Sequence, residues 1–450
     1  MEKEEKQEVS VETEEKVDEG NSKKKLRRKR FFRGVLCGFL VVALFVGGAL
    51  TGLLSVDKEI RNLAKIKNQV QKSYYEEIDD STFYKAVYDG VEGLLDEYSY
   101  YLSVDEYAAM MEESRGAMSG IGLVFQTLDE KGNPQLLIKR VCGNSPAEGA
   151  GILSGWRVTG FGPANGEIKE SVVFAELQSF LAEYAANETF WLQVLTTEGK
   201  TLEVELQKKN YVENYVFYRT NTEAYCFKGE HANELTKRGA PLTCLDDDTA
   251  YIRLVEFNGS AVSAFKQAID LLHAQGKKNL VLDLRGNGGG SMDILQEIAA
   301  YLCKKAERNN PVIATADYGE KREEFKASGN YYSQYFTENS RICVLADGDS
   351  ASASECLLGA MLDYQTIGYA DICLSGNTDT AKTFGKGIMQ TTYVYPAGDA
   401  IKLTTATVHW PVTNTCIHGR GVLASDGTKT VQKQDIDDAE IALAIEKLFS

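Results

Sequence analysis

Three serines alternate with alanines in the stretch ADGDSASASE, which runs from Ala346 to Glu355. The apolar run RICVLAD before it predicts a buried strand, and SECLLGAMLDY after it predicts a helix. Ser350, Ser352 and Ser354 therefore stand near a helix N-terminus, where backbone N–H groups favour negative charge. One of them is a candidate nucleophile, although capping of the helix is the simpler explanation for each serine taken alone.

A serine nucleophile needs a base. The chain has four histidines, each without an acid at an informative spacing: His231, His273, His409 and His418. Lys386 lies between two glycines in KTFGKGIMQ, at the start of an apolar strand where burial would lower its pKa. Gln390 follows four residues later and, along a strand, faces the same side as Lys386. A solvated lysine in a glycine hairpin is the alternative interpretation.

A glycine-rich turn follows the strand in LDLRGNGGGS, residues 282–291. The dinucleotide-binding pattern G-x-G-x-x-G is not met, because Ser291 occupies its last position. The glycines allow the backbone to approach a ligand and to present N–H groups, as an oxyanion hole requires. A tight strand–helix turn that needs positive φ values explains them equally well.

The composition excludes several classes of protein. The formal net charge of −16 argues against a nucleic-acid partner, because binding phosphates requires a basic face. No CxxC pair or His/Cys cluster has zinc-ligand spacing, so no metal or other cofactor is predicted. The nine cysteines are scattered and are interpreted as small buried hydrophobes, with a disulfide pair left open.

The N-terminal region predicts a membrane anchor. Residues 1–33 form an acidic arm that ends in eight Lys/Arg between Lys23 and Arg33. Residues 34–56 follow without a charge, and 23 residues suffice to span a bilayer as a helix. The basic cluster should stay in the cytoplasm, so the rest of the chain is predicted to lie outside the cell membrane. The alternative is a cleaved signal peptide, for which the apolar run is long and lacks a convincing cleavage site.

The exported part divides into three regions. Residues 57–118 are predicted to be mainly helical. Residues 119–208 are predicted to form two hairpins, with a short helix, a strand and an amphipathic helix between them. Together these elements form a compact module. Residues 209–450 alternate strands with helices, which is typical of an α/β core, and end in a helix.

Six of these stretches, in order, resemble motifs of the carboxy-terminal processing peptidases, also called tail-specific proteases. The resemblance covers roughly residues 80–449, and the motifs are LLDEYSYYLSVDEY, SGIGLVF, SPAEGAGILSGWRV, DLRGNGGG, SASASE and FGKG. It implies an α/β catalytic core of crotonase/ClpP-like type joined to a PDZ domain, a β-rich α+β fold, at residues 119–208.

The resemblance also implies roles for individual residues. Ser352 matches the nucleophile, Lys386 the general base and Gln390 a supporting polar residue. The oxyanion hole would use the backbone N–H groups of Ala353 and of Gly289 or Gly290. The PDZ peptide-binding loop would comprise Gly120, Ile121, Gly122 and Leu123. Asp363 matches an acidic residue interpreted as structural support.

The chain departs from the family pattern in two places. The interval between Ser352 and Lys386 carries extra residues, so Lys382 also lies near and leaves the identity of the base open. Trp156 stands where the family has an acidic residue after Gly155. These departures predict a difference in peptide specificity or gating.

The sequence therefore predicts a single-pass membrane-anchored serine endopeptidase with a Ser–Lys dyad. Its PDZ domain would bind the free C-terminus of a protein substrate, and its helical flanks would support a homodimer. The alternative is a PDZ-type scaffold that binds exported tails without cutting them. A weaker third hypothesis is a nucleotide-binding enzyme that uses GNGGGS.

Overall fold

The structure is a computed structural model that describes residues 57–129, 131–164, 166–227, 235–237, 239–305, 309–434 and 437–449. The predicted cytoplasmic arm (1–33) and transmembrane helix (34–56) lie outside these ranges. Within them, no helix combines the length and apolar character needed to cross a membrane. None of the eight cysteines in the same ranges forms a disulfide, and six of them are buried.

The chain separates into two compact units, with the boundary between Gly93 and Leu94. The described part of the first unit contains helices α1 (Lys58–Ser73) and α2 (Asp80–Glu92). Asp57 and Asp79 cap these helices by accepting hydrogen bonds from backbone N–H groups of their first turns. Neither helix has a buried residue.

The second unit begins with a short strand and a helix that fall within the region predicted to be mainly helical. Strand β1 (Tyr100–Leu102) precedes helix α3 (Val104–Ser114), which begins with a capping box formed by Ser103 and Glu106. Strand β1 pairs with a strand some 300 residues later, so this region belongs structurally with residues 209–450, the predicted catalytic core.

A module with its own hydrophobic core follows, and its two hairpins and two helices confirm the predicted elements. Its elements are β2 (Ala117–Gly120), β3 (Leu123–Leu128), β4 (Pro134–Val141), α4 (Pro146–Gly149), β5 (Arg157–Pro163), β6 (Lys169–Glu170), α5 (Phe174–Glu183), β7 (Thr189–Leu195), β8 (Thr201–Gln207) and β9 (Lys209–Val212). One sheet has the order β3-β4-β5-β7-β8, with β6 beside β5. Strands β2 and β9 pair with each other, so the chain enters and leaves the module at one place.

Among the described residues of the predicted catalytic core, the main sheet has eight strands in the order β12-β11-β10-β13-β14-β17-β18-β21. These strands are β10 (Val216–Arg219), β11 (Ala224–Phe227), β12 (Leu235–Lys237), β13 (Thr249–Leu254), β14 (Asn279–Asp283), β17 (Ile342–Asp347), β18 (Ile372–Ser375) and β21 (Lys429–Val431). The five strands from β13 to β21 are parallel. Their helices are α6 (Ala261–Ala274), α7 (Met292–Leu302), α8 (Tyr332–Tyr335), α9 (Ala353–Asp363) and α10 (Asp437–Phe449). Strand β14 is the apolar run KNLVLDL, as expected for a strand covered on both faces.

A second sheet, which is antiparallel, is separate from the main sheet. It consists of β1 together with β15 (Val312–Asp317), β16 (Arg322–Lys326), β19 (Ile388–Val394) and β20 (Ala400–His409). The glycine-flanked lysine predicted as the base immediately precedes β19.

The parallel arrangement brings two predicted site segments together. Strands β14 and β17 are neighbours, and each ends in one of the two loops singled out from the sequence. Because the carboxyl ends of parallel strands share one edge of the sheet, the glycine loop and the serine loop meet there.

Candidate active site

The serine loop places its three serines in different environments. Ser350 and Ser354 are fully buried, and their hydroxyls donate to the carbonyl oxygens of Leu284 (2.8 Å) and Asn287 (3.0 Å). The hydroxyl groups of these two serines therefore fix the serine loop to the glycine loop. Ser352 is partly exposed and stands directly before α9. It is the serine of the three that a substrate can reach.

Ser352 also has an uncommon backbone conformation. Its φ is +55°, in the left-handed region that residues other than glycine rarely adopt. Strained residues of this kind cluster at functional sites, where the surrounding structure holds them in place. The strain is therefore consistent with the predicted nucleophile.

The glycine loop approaches this serine closely. A Cβ atom added at Gly289 would lie 2.8 Å from the Cβ of Ser352 and 3.0 Å from the backbone nitrogen of Ala353. Gly289 also has a φ of +108°. Only glycine satisfies both conditions, so the close approach of the two loops requires it.

Asn287 is the buried side chain that shapes the glycine loop. Its amide nitrogen donates to the carbonyl oxygen of Leu254 at the end of β13, and its amide oxygen accepts from the N–H of Gly289, both at 2.9 Å. Its own carbonyl oxygen accepts from the N–H of Ala351 at 2.9 Å. Asn287 thus fixes the glycine loop to the sheet and to the serine loop at once.

These contacts bear on the predicted oxyanion hole. The N–H of Gly289 is already bonded to Asn287, which leaves Gly290 as the available one of the two glycines. Within the described ranges, neither the N–H of Gly290 nor that of Ala353 has a hydrogen-bond acceptor. Two unsatisfied donors on adjoining loops are what a developing oxyanion needs.

Replacement of Gly289 by alanine is expected to lower kcat about a hundredfold, the size of effect seen when an oxyanion donor is lost. The new Cβ would push the loop away from Ser352 and Ala353. Gly288→Ala is the matched control, because a Cβ at Gly288 meets no atom within 4 Å. Steady-state hydrolysis of a protein substrate measures both variants, and equal activity of the two would contradict this role for the close approach.

The environments of the two candidate lysines differ. Lys382 is exposed, whereas Lys386 is half-buried, with its Nζ 4.5 Å from the ring centre of Tyr98. Burial, and then the positive charge of Lys402, lower the pKa of Lys386, while the nearby Asp96 and Glu97 act in the opposite direction. Lys386 is therefore the lysine whose surroundings favour the neutral amine. Its Nζ makes no hydrogen bond with Ser352 in the described structure.

Glu355, which sequence reasoning assigned no role, connects the two predicted catalytic residues. Its Oε2 atom accepts hydrogen bonds from the backbone N–H of Ser352 (3.0 Å) and of Lys386 (2.9 Å). Its Oε1 atom accepts from Thr383 Oγ1 (2.5 Å) and the N–H of Gly385 (2.8 Å). The side chain is fully buried, and this burial raises its pKa even though the hydrogen bonds lower it. A glutamate three residues after the serine is a capping-box signal that could have drawn attention to it.

The segment before β1 also reaches the site, which sequence reasoning missed. Tyr98 covers the ammonium group of Lys386, and Asp96 and Glu97 lie close enough to influence it. The LLDEYSYYL stretch therefore shapes the environment of the lysine as well as preceding the module.

Gln390 occupies a different setting from the one expected. Strand β19 begins only at Ile388, and its register shifts between Met389 and Gln390. The strand alternation used to place Gln390 beside Lys386 is therefore interrupted. Its amide nitrogen donates to Thr404 Oγ1 at 3.1 Å, and the described structure has no hydrogen bond between Gln390 and Lys386.

Asp363 lies at the far end of α9. Its Oδ2 atom accepts from the backbone N–H groups of Val412 (2.8 Å) and Thr413 (3.0 Å). This is a structural contact, as interpreted from the sequence.

The predicted peptide-binding loop joins β2 to β3. Gly120 ends β2, Ile121 is buried, and Leu123 begins β3. Gly122 has a φ of +78°, and a Cβ there would lie 2.1 Å from the Cβ of Ser145, so the turn requires glycine. Strand β3 is the edge strand of its sheet, which leaves its outer side open to an added strand.

The module touches the serine loop directly. Lys139 of β4 forms an ion pair with Asp349 at 2.5 Å. Asp349 lies three residues before Ser352. The predicted binding module and the predicted nucleophile are therefore linked by one contact.

The chain is similar to several known proteins. The family model described as "Peptidase family S41" matches residues 248–425, which include the glycine loop, the serine loop and Lys386. Two relatives are each described as "Probable CtpA-like serine protease". The one from Staphylococcus saprophyticus is 27% identical over 426 residues, which cover 92% of this chain and 77% of the relative. The one from Staphylococcus aureus strain COL is 26% identical over 433 residues, with 92% and 76% covered.

A solved structure shares the fold. The protein described as "Photosystem II D1 C-terminal processing protease" superposes with a TM-score of 0.50 at 21% identity, and the match covers 84% of this chain and 89% of that one. This likeness shows the shared fold, and the family model and the two relatives identify the chain as a serine-type peptidase. Residues 248–425 are similar to peptidase family S41.

Proposed function

We propose that the protein is an endopeptidase with a Ser352–Lys386 dyad. The observation that carries this proposal is the shared carboxylate of Glu355, which holds the backbones of both residues on one oxygen atom. It holds the backbone of the accessible serine next to the backbone of the half-buried lysine.

The chemistry follows from these positions. The neutral amine of Lys386 rotates from the ring of Tyr98 to Ser352 and takes the hydroxyl proton as Oγ attacks the peptide carbonyl. The N–H groups of Ala353 and Gly290 bind the oxyanion of the tetrahedral intermediate. The ammonium group of Lys386 then protonates the leaving amine. Water, deprotonated by the same lysine, releases the acyl group from Ser352. Gln390 supports the site from β19 through its bond to Thr404.

Residues 119–208 are the substrate-recognition part of this proposal. The module acts as a PDZ domain, and the free C-terminal carboxylate of a substrate binds the N–H groups of the loop from Gly120 to Leu123. The tail adds as a strand to the open edge of β3, next to α5. The contact between Phe125 and Phe174, with ring centres 5.9 Å apart, provides an apolar surface between β3 and α5. The Lys139–Asp349 pair couples this module to the serine loop.

The N-terminal sequence completes the proposal. Residues 34–56 anchor the chain in the cell membrane as a single span, with the basic arm in the cytoplasm and the peptidase outside. Its substrates are therefore exported proteins with accessible tails. The helical flanks serve in homodimerisation.

The test is cleavage of an unstructured protein with an apolar C-terminus, compared with the same protein whose terminal carboxylate is amidated. The free tail is expected to be cleaved with a KM about tenfold lower, because the amide removes the charge that the loop binds. Equal KM values would contradict recognition of the carboxylate but leave the peptidase intact. Binding of the free tail without any cleavage would instead support the scaffold alternative.

A further inference from the structure

The first turn of the C-terminal helix α10 is attached to the main sheet by ion pairs with three arginines. Arg219 of β10 binds both carboxylate oxygens of Asp438, at 2.7 and 2.8 Å. Arg253 of β13 binds Asp437 at 3.1 Å. The third arginine, Arg285, differs from these two because it belongs to the glycine loop.

Arg285 lies at the centre of a buried charge cluster. Its Nη1 atom is 2.5 Å from Glu440, and its Nη2 atom is 2.6 Å from Asp283 and 3.0 Å from Asp437. The side chains of Arg285 and Glu440 are each 6% exposed, and that of Asp283 is fully buried. Glu440 is itself held by Ser375 Oγ at 2.7 Å and by the N–H of Gln434 at 2.8 Å. The guanidinium group therefore has a fixed position relative to α10.

The backbone of Arg285 leads directly into Gly286, the first glycine of the loop. Between Arg285 and Ser291, Asn287 is the one residue other than glycine. Two of the loop's own side chains anchor it: Asn287 fixes it to β13, and Arg285 fixes it to α10. Side chains of the serine loop also bond its backbone, Asp347 at the N–H of Gly286 and Ser354 at the carbonyl oxygen of Asn287. A chain of glycines between such anchors has no side-chain packing of its own to hold its N–H groups in place.

We propose that Glu440 is a positioning residue for catalysis, which acts through Arg285 on the oxyanion-binding glycine loop. The C-terminal helix is then part of the catalytic apparatus as well as a cover for the sheet. This inference rests on the proposed role of the glycine loop in the Ser352 site. Without the charge of Glu440, the guanidinium group of Arg285 would be bound by Asp283 and Asp437 alone and would shift. The N–H groups of the glycine loop would move with it. Displacements of about 1 Å can reduce catalysis about a hundredfold.

The test compares Glu440→Gln and Arg285→Lys with Asp438→Asn. The control, Asp438→Asn, removes a charge from the same helical turn. Asp438 also pairs with an arginine, but that arginine, Arg219, is not in the glycine loop. Three quantities are measured for each variant: kcat and KM for an unstructured protein, the rate at which a fluorophosphonate phosphonylates the serine with loss of fluoride, and the Tm.

We expect Glu440→Gln and Arg285→Lys to lower both kcat and the phosphonylation rate about tenfold or more, with KM changed less than about twofold. Asp438→Asn should keep both rates whatever its effect on Tm. Equal losses in all three variants, or losses that follow Tm alone, would overturn the positioning role. If Glu440→Gln does not fold, Arg285→Lys still tests the positioning role. Lysine keeps the positive charge of arginine but lacks its forked guanidinium group. If Ser352→Ala cleaves the protein at the wild-type rate, the assignment of Ser352 is wrong, and that outcome is distinct from unchanged rates in the other variants.

Discussion

Ser352→Ala and Lys386→Ala are each expected to abolish peptide-bond hydrolysis, with kcat reduced about 10⁴-fold or more, whereas Lys382→Ala keeps activity within about twofold. Ser352→Ala removes the proposed nucleophile, and Lys386→Ala removes the group proposed to take its proton. Lys382 has the same side chain four residues earlier, but it is exposed and lies on the loop before the glycines. Quantified cleavage of an unstructured protein by the three variants measures these effects.

The pH profile separates a base from a merely structural lysine. In the proposed mechanism Lys386 acts as the neutral amine, so kcat/KM should rise with pH as the ammonium group loses its proton. Because burial lowers the pKa of Lys386, the midpoint of that rise should lie below the pKa of an ordinary lysine. Lys382→Ala should keep this profile unchanged. A loss of activity in Lys382→Ala equal to that in Lys386→Ala, or a profile without this rise, would exclude Lys386 as the sole base.

The local elements of the fold follow from the sequence to a large extent. Strand β14 and helix α9 have the apolar runs, glycine turns and periodicity from which they were predicted. Long-range pairing does not follow in the same way. The sequence of strand β15 has the same apolar character as the neighbouring strands in the chain, yet β15 pairs with β20 in the second sheet. Strand β1, from the N-terminal side, joins that sheet as well. Apolar alternation defines a strand's faces but does not select its partners.

The same limit applies to the site. Ser352 and Lys386 can be predicted because each lies in a short motif of distinctive residues. Glu355 lies in a motif too, but its importance depends on partners 30 and 31 residues away, Gly385 and Lys386. The contact between Tyr98 and Lys386 crosses a still longer interval. Such residues act through the folded arrangement, and no local spacing identifies their partners.

Glu355→Gln is expected to lower kcat about a hundredfold and to destabilise the protein at the same time. The carboxylate accepts four hydrogen bonds, two on each oxygen, and all four donors surround a fully buried side chain. The amide of glutamine has one oxygen, so its NH₂ group must face at least one backbone N–H. Each buried donor left without an acceptor costs about 1–3 kcal/mol, and two such donors cost about 2–6 kcal/mol.

The effect on catalysis should exceed the effect of lost stability, because the oxygens of Glu355 set the relative positions of the serine and the lysine. Asp363→Asn is the matched control. Asp363 lies at the other end of the same helix and also accepts two backbone N–H groups, from Val412 and Thr413. It should lose stability while the folded enzyme keeps its kcat. Denaturant unfolding gives the stability of each variant, and active-site titration corrects kcat for the folded fraction.

The two variants together decide what Glu355 does. If the corrected kcat falls only in Glu355→Gln, the carboxylate is a positioning group for the dyad, since both substitutions remove the same kind of hydrogen bond from the same helix. If the corrected kcat is unchanged in both, Glu355 serves the fold alone, and the strained backbone of Ser352 must be held by the loop contacts of Ser350 and Ser354.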